Sequence, residues 1–263
     1  MNSASSEKPT VISVIIPSYN QLEGLKKTVK AFSNLRGRGL ELIVIDGAST
    51  DGSSEWIHSN FTEIDHFLVE SDKGIYDAMN KGIKFAKGDW IWFMGTGDFP
   101  VLEGVVELLR VVEGGASIPN ASDPEMLAFG VHLLSPRETG VPEYYKPVWD
   151  RKLVWRNTIH HQGAIYSREL FKSEVYDLRY SVLADYHFNL KVWKKGVKCS
   201  CFTEIIAEVA PGGISRDFSL SLYKEESAMK REVLTGWQNM IQSFWARAKW
   251  LNKKIRIESS KTH

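Results

Sequence analysis

Cysteine is nearly absent from the chain, with two in 263 residues, Cys199 and Cys201. One residue apart on a strand-like run, they share a face, which suits a disulfide poorly and leaves too few companions for a zinc site. They read as small buried hydrophobes of a reducing cytosol. Charge of one sign is missing too: Lys and Arg total 33 and Asp and Glu 32, so no global field draws nucleic acid. No apolar run reaches the roughly 18 residues of a membrane span. The polar, Ser-rich residues 1–10 lack the apolar core of a secretory signal and are expected to be disordered. The glycine fingerprints are absent as well. There is no Gly-x-Gly-x-x-Gly after the first strand and no Gly-Lys-Ser/Thr loop, which disfavours a dinucleotide dehydrogenase or a phosphate-loop nucleotidase. Nor is there a Gly-x-Ser-x-Gly nucleophile elbow. Repeats, low-complexity tracts and an interdomain linker are likewise missing.

What is present is a rhythm of strands and helices. Residues 11–16 form an apolar run stopped by Pro17, as expected of a buried parallel strand. Asn20 and Glu23 make a capping-box-like start to a helix through about Asn34, with Leu22, Leu25, Val29 and Phe32 on its apolar face. Residues 41–45 read as a second buried strand and 67–69 as a shorter third, with Asp51 capping a short helix between them that holds Trp56 and Ile57. Asp72 opens a helix whose predicted core stripe is Ile75, Met79, Ile83 and Ala86, with Lys73, Asp77 and Asn80 on a polar face. Residues 90–94 are the fourth strand. This alternation predicts a parallel sheet with right-handed crossovers.

After Asp98 the pattern loosens. Residues 101–112 read as a helix, 126–133 as a strand, 143–155 as aromatic and irregular, 168–174 and 183–195 as helices, and 197–209 as one or two strands. Residues 211–213 are a turn and 220–255 largely helical. With no linker between them, the second half is expected to build onto the first sheet.

Three sequence-distant clusters end strands: Pro17 to Asn20 the first, Asp46 the second and Asp98 the fourth. In a parallel sheet these ends share one edge, where open α/β sheets bind ligands. A single Asp at a strand end is more often a helix cap, and Asp51 and Asp72 suit that role best; three clusters together weaken it.

Val14-Ile-Ile-Pro-Ser-Tyr-Asn20, Val44-Ile-Asp-Gly-Ala-Ser-Thr-Asp-Gly52, Asp72-Lys-Gly-Ile-Tyr-Asp-Ala-Met-Asn-Lys-Gly-Ile83 and Phe93-Met-Gly-Thr-Gly-Asp98 resemble a GT-A-fold family 2 glycosyltransferase. The nearest likeness is to the bacterial enzymes that build colanic acid, capsule and O-antigen. The resemblance is strong over residues 11–100 and weaker through His160-His-Gln-Gly163, Ala184-Asp-Tyr186 and Gly212-Gly-Ile-Ser215. It implies an α/β fold with a Rossmann-like, mostly parallel central sheet flanked by helices. The domain would span 11–217, a nucleotide-sugar half over 11–100 and an acceptor half over 101–217, followed by a helical extension over 218–263.

The resemblance also implies roles. Pro17, Ser18 and Tyr19 would line the nucleoside pocket, Asp46 would hold the base, and Lys73 would stand near the donor. Asp98, on the Gly-rich turn with Gly97, matches the last carboxylate of an Asp-x-Asp motif and would hold Mg²⁺ or Mn²⁺ on the sugar diphosphate. Asp185 matches the catalytic base of an inverting transfer, although its spacing alone also suits a helix cap. His161 and Gln162 match residues that line the active site. Gly95-Thr-Gly-Asp98 departs from the pattern where many members carry two acids, which puts strict metal dependence in doubt. Partners follow: a UDP- or GDP-sugar donor, a lipid-linked oligosaccharide acceptor, and no nucleic acid.

Other residues leave alternatives open. His160 and His161 could be metal ligands, but adjacent histidines point in different directions on an extended chain, and one of them is structural or acceptor-facing; His187 is a packing residue. Tyr144, Tyr145, Trp149 and Trp155 suit either sugar stacking or packing. Trp237, Ile241, Phe244, Ala248 and Leu251 repeat at helical spacing beside Lys249, Lys253, Lys254 and Arg256. Such a basic amphipathic helix suits the inner face of an anionic cytoplasmic membrane; packing on the domain is the competing reading. Against transfer stand a catalytically impaired homologue serving as a partner subunit and a sugar-nucleotidyltransferase.

Overall fold

The computed structural model describes residues 10–35, 37–115, 123–134, 142–211 and 220–234. Its framework is one sheet in the order β3-β2-β1-β4-β8-β6-β9-β5, with β7 added on β6. The strands are β1 (Ile12–Ser18), β2 (Leu40–Asp46), β3 (His66–Val69), β4 (Trp90–Phe93), β5 (Phe99–Pro100), β6 (Met126–Leu133), β7 (Tyr144–Tyr145), β8 (Ala164–Ser167) and β9 (Cys199–Val209). Strands β1, β2, β3 and β4 are mutually parallel, as the alternating rhythm predicts. Strand β8 then inserts antiparallel between β4 and β6, and β9 runs parallel to β6. This mixed half carried no clear periodic signal.

Helices cover both faces: α1 (Leu22–Ser33), α2 (Ser53–Ser59), α3 (Ile75–Ile83), α4 (Leu102–Val112), α5 (Leu170–Ser173), α6 (Ala184–Lys194) and α7 (Leu220–Val233). Because side chains alternate along a strand, β1 feeds two cores. Ile12, Val14 and Ile16 pack in one with Leu25, Val29 and Leu108, while Ile15 packs in the other with Met79, Phe93 and Phe188. A strand buried on both faces requires the near-continuous apolar run that the sequence shows.

Two local expectations need correction. Strand β1 does not stop at Pro17 but continues to Ser18, with Pro17 opposite Ile45. Ile15 accepts from Met94 N on the β4 side, and Ser18 accepts from Gly47 N on the β2 side. By that alternation Pro17 turns its nitrogen towards β4, beyond the Ile12–Ile15 stretch that β4 pairs, so the missing N–H costs no ladder bond. The second correction concerns α1, whose N-cap is Gln21 without a side-chain cap. Asn20 instead sits at φ 49°, and Asp51 caps the helix from the next loop, accepting from Leu22 N at 2.8 Å.

Candidate functional site

Topology gathers the predicted residues at one sheet edge. Strands β1, β2 and β4 end there, β8 begins there because it runs antiparallel, and β9 ends there because it runs parallel to β6. The edge therefore carries Pro17 to Asn20, Asp46, the 94–98 turn, the His161–Gly163 turn and Ala210.

The turn holding Asp98 is pinned from three sides. Thr28 of α1 donates to the Asp98 carbonyl at 3.0 Å and accepts from Gly97 N at 2.8 Å. Gly97 occupies φ 89°, a left-handed conformation natural to glycine. Asp98 is 5% exposed, and its two oxygens accept from Gln162 Nε2 at 2.7 Å and Ala210 N at 2.9 Å. A Cβ at Gly95 would lie 2.5 Å from Asp98 Oδ2, so only glycine there lets the carboxylate fold over the chain. Gln162 is anchored in turn by Trp92 Nε1, which donates to its carbonyl at 2.8 Å.

One residue earlier, His161 faces the other acid. Its ring stacks on Phe93 at 5.3 Å between centroids, and its Nδ1 lies 3.8 Å from Asp185 Oδ2. That distance is too long for a hydrogen bond, and neither buried ring nitrogen has a hydrogen-bond partner. Asp185, in the first turn of α6, is 8% exposed and accepts from Tyr76 OH on Oδ1 at 2.9 Å. The dipeptide His161–Gln162 thus joins Asp98 to Asp185 within one site.

Tyr76 was missed by the sequence reading. The predicted stripe of α3 placed Ile75 inside, whereas Ile75 is 38% exposed and Tyr76, Ala78, Met79 and Gly82 are buried. Met79 and Ala86 are buried as the stripe predicts; its start differs because the Tyr76 ring enters the aromatic cluster beneath β4, 5.3 Å from Tyr176. A polar atom at the tip of a buried aromatic ring needs a partner, which was the available clue. Burial and Asp185 hold the Tyr76 hydroxyl well above its ordinary pKa, so it stays a donor. Tyr76→Phe should destabilise the fold by about 1.5–3 kcal/mol, one hydrogen bond to a charged group. Urea unfolding at neutral pH checks this, and an unchanged midpoint would contradict it.

The remaining predicted residues divide. Tyr19 is 62% exposed at the edge, and Ser18 is buried with its Oγ lacking a hydrogen-bond partner. Asp46 is fully buried and accepts from Ser49 N, Ser49 Oγ and Ser54 Oγ at 2.8, 2.7 and 2.9 Å. It therefore shapes the loop after β2, and its carboxylate is already engaged. The Asp72 carboxylate lies against Gly47, where a Cβ would stand 2.6 Å from Oδ2 and 3.1 Å from the Tyr19 ring. Asp72 also closes its own turn by accepting from Gly74 N. Lys73 is exposed beside it, with its backbone N–H donating to Asp77. His160 meets Tyr145 edge-on at 5.4 Å. Residues 212–215 and the tail from Trp237 onwards lie outside the described residues.

Two histidines, His161 and His187, are expected to make the fold sensitive to acid. Burial lowers the pKa of His161 against an opposing pull from Asp185, and burial followed by Lys191 lowers that of His187. Unfolded, both would titrate near 6.5, about the unperturbed histidine value. Below that pH the unfolded chain binds more protons, so stability is full above about 6.5 and drains as pH falls through the lowered values. Denaturant midpoints should therefore drop from pH 7.5 to pH 5, and His187→Gln should remove part of the slope. An identical slope in that variant would contradict the assignment.

The oxygen donors at this edge limit how a divalent cation could be held. Asp98 accepts from Gln162 Nε2 on one oxygen and from Ala210 N on the other. Among the described residues no cluster of three His, Cys, Asp or Glu side chains could form a protein cage. Asp98 fits as a single ligand to an ion that takes its other oxygens from water and substrate phosphates, a manner suited to Mg²⁺. Among the described residues no helix is long and apolar enough to cross a membrane.

Comparison with known proteins shows the family. Residues 13–113 match the model of glycosyl transferase family 2. An uncharacterized glycosyltransferase of Mycobacterium tuberculosis is 33% identical over 70% of this chain and 68% of its own length. A PGL/p-HBAD biosynthesis glycosyltransferase of Mycobacterium bovis is 30% identical over 74% of this chain and 75% of its own. The fold matches TarS of S. aureus, residues 1–349 in complex with UDP-GlcNAc, with TM-score 0.66 at 16% identity over 92% of this chain and 72% of that one. It also matches the mannosyltransferase PcManGT of Pyrobaculum calidifontis, in complex with GDP-Man and Mn²⁺, with TM-score 0.60 at 16% identity over 92% and 70%. With its GT-A architecture and these relatives, the chain belongs to glycosyl transferase family 2 and is a glycosyltransferase enzyme.

Proposed function

We propose that the enzyme inverts the anomeric centre as it moves a sugar from a UDP- or GDP-linked donor to a lipid-linked oligosaccharide in surface polysaccharide biosynthesis. The observation that carries this reading is the His161–Gln162 dipeptide, which links a carboxylate suited to a diphosphate–metal complex with one suited to accept a proton. The nucleotide sugars bound by TarS and PcManGT support the donor class, and the PGL/p-HBAD biosynthesis named for the mycobacterial relative supports a biosynthetic transfer.

In this mechanism Tyr76 occupies Asp185 Oδ1, leaving Oδ2 to receive the proton of the acceptor hydroxyl. The acceptor oxygen, as it loses that proton, attacks the anomeric carbon from the face opposite the diphosphate. The sugar–phosphate bond breaks, and its electron pair leaves with the nucleoside diphosphate. A Mg²⁺ or Mn²⁺ ion, when bound, supplies Lewis-acid neutralisation of that charge. Asp98 would hold the ion, with Gln162 and Ala210 N fixing its carboxylate, and Lys73 would add a mobile positive charge. Asp46 contributes to base recognition through the loop it shapes. The tail beyond the described residues would dock the enzyme on the inner membrane face. The direct test is a thermal-shift panel of UDP- and GDP-sugars followed by NMR of the product anomer. A cognate donor at a hundred times its Kd should add about 2.7 kcal/mol of stability. A product that keeps the donor's anomeric configuration would overturn inversion.

A further inference from the structure

We propose that Glu225, on α7, is a positioning residue for Asp185; the inference rests on Asp185 being the proton acceptor. The first turn of a helix leaves backbone N–H groups unsatisfied. Helix α6 begins with Leu183 at its N-cap, which has no polar side chain to offer. The cap comes instead from another helix. Glu225 Oε1 accepts from Val182 N at 2.8 Å and Leu183 N at 2.7 Å, and Oε2 accepts from Ser181 Oγ at 3.0 Å. A carboxylate at this end also complements the helix dipole.

The same peptide reaches the catalytic pair. The Val182 carbonyl lies 2.8 Å from Tyr76 OH, which lies 2.9 Å from Asp185 Oδ1. The hydroxyl has one proton to share between these two acceptors, so Glu225 acts by fixing the 182–183 backbone against which the Tyr76–Asp185 pair is set, with Asp185 three residues beyond Val182. Helix α7 does not depend on Glu225 for its own seat. Lys230 Nζ donates to the Trp155 carbonyl at 3.0 Å and pairs with Glu226, and Glu232 pairs with Arg179 at 2.6 Å. Removing Glu225 thus loosens the turn before Asp185 while α7 stays docked.

The test is a double-mutant cycle on the full chain, with kcat, donor KM and unfolding midpoint measured together. Glu225→Ala should lower kcat about 10–100-fold through misplacement of the base, with donor KM unchanged. Glu225→Gln keeps a carbonyl oxygen for both N–H groups and should restore most of the lost rate. Glu225→Asp, shorter by one methylene, should lower kcat with the midpoint retained, which keeps the test decisive if the alanine variant unfolds. In an Asp185→Asn background, a further change at Glu225 should leave the residual rate almost untouched, because both act through one group. Equal rate losses in the two backgrounds, or wild-type kcat in both Glu225→Ala and Glu225→Asp, would overturn the proposal. Full activity of Asp185→Asn alone would instead remove Asp185 from its role and the proposal with it.

Discussion

Asp185→Asn is expected to lower the rate of sugar transfer by about 10²–10⁴-fold, the usual contribution of a general base, or roughly 3–5 kcal/mol of barrier. The substitution is close to isosteric, and an amide oxygen in place of Oδ1 still accepts from Tyr76 OH, so the fold should survive. What is lost is Oδ2, replaced by an amide nitrogen that cannot take a proton. The donor Kd should stay at its wild-type value, since Asp185 acts on the acceptor. Steady-state transfer and donor titration by thermal shift check both halves. A variant with normal turnover would show that another group removes the proton.

Asp98 is expected to give the second large effect, and two substitutions separate its two duties. Asp98→Ala removes the charge that faces the leaving group and strips acceptors from Gln162 Nε2 and Ala210 N. Loss of one preorganised electrostatic contact of this kind costs about 10²–10³ in kcat. Each orphaned buried donor costs about 1–3 kcal/mol of stability. Asp98→Asn retains one oxygen for Ala210 N, and the Gln162 amide can turn its own oxygen towards the new NH₂. The asparagine variant should therefore keep most of the stability and lose transfer to a similar degree. Rates with Mg²⁺ and Mn²⁺ beside urea midpoints test the split. An asparagine variant as fast as wild type would show that the carboxylate charge is not used.

Much of the first half could be read before any coordinates. The apolar runs of β1, β2 and β4, with turn residues after each, required strands buried on both faces, and the alternation with helices required them to be parallel. That placed Asp46 and Asp98 at one edge. The exceptions are positions where a side chain answers to a distant partner. Asn20 looked like a cap for α1, but Asp51 fills that place from thirty residues on. The α3 stripe looked like Ile75, yet Tyr76 is drawn inward by an aromatic cluster assembled from β4, β8 and α6.

The sequence alone determined which chemistry the chain could hold, because residue types and local periodicity are properties of the chain itself: two separated acids, a glycine-rich turn, and no phosphate loop or nucleophile elbow. Only the tertiary structure decided which groups touch. An antiparallel β8 carries His161 and Gln162 between the two acids, Thr28 and Ala210 N fix one of them, and Glu225 from a late helix secures the turn before the other. Those contacts join residues dozens of positions apart, and short-range patterns carry no information about such pairings.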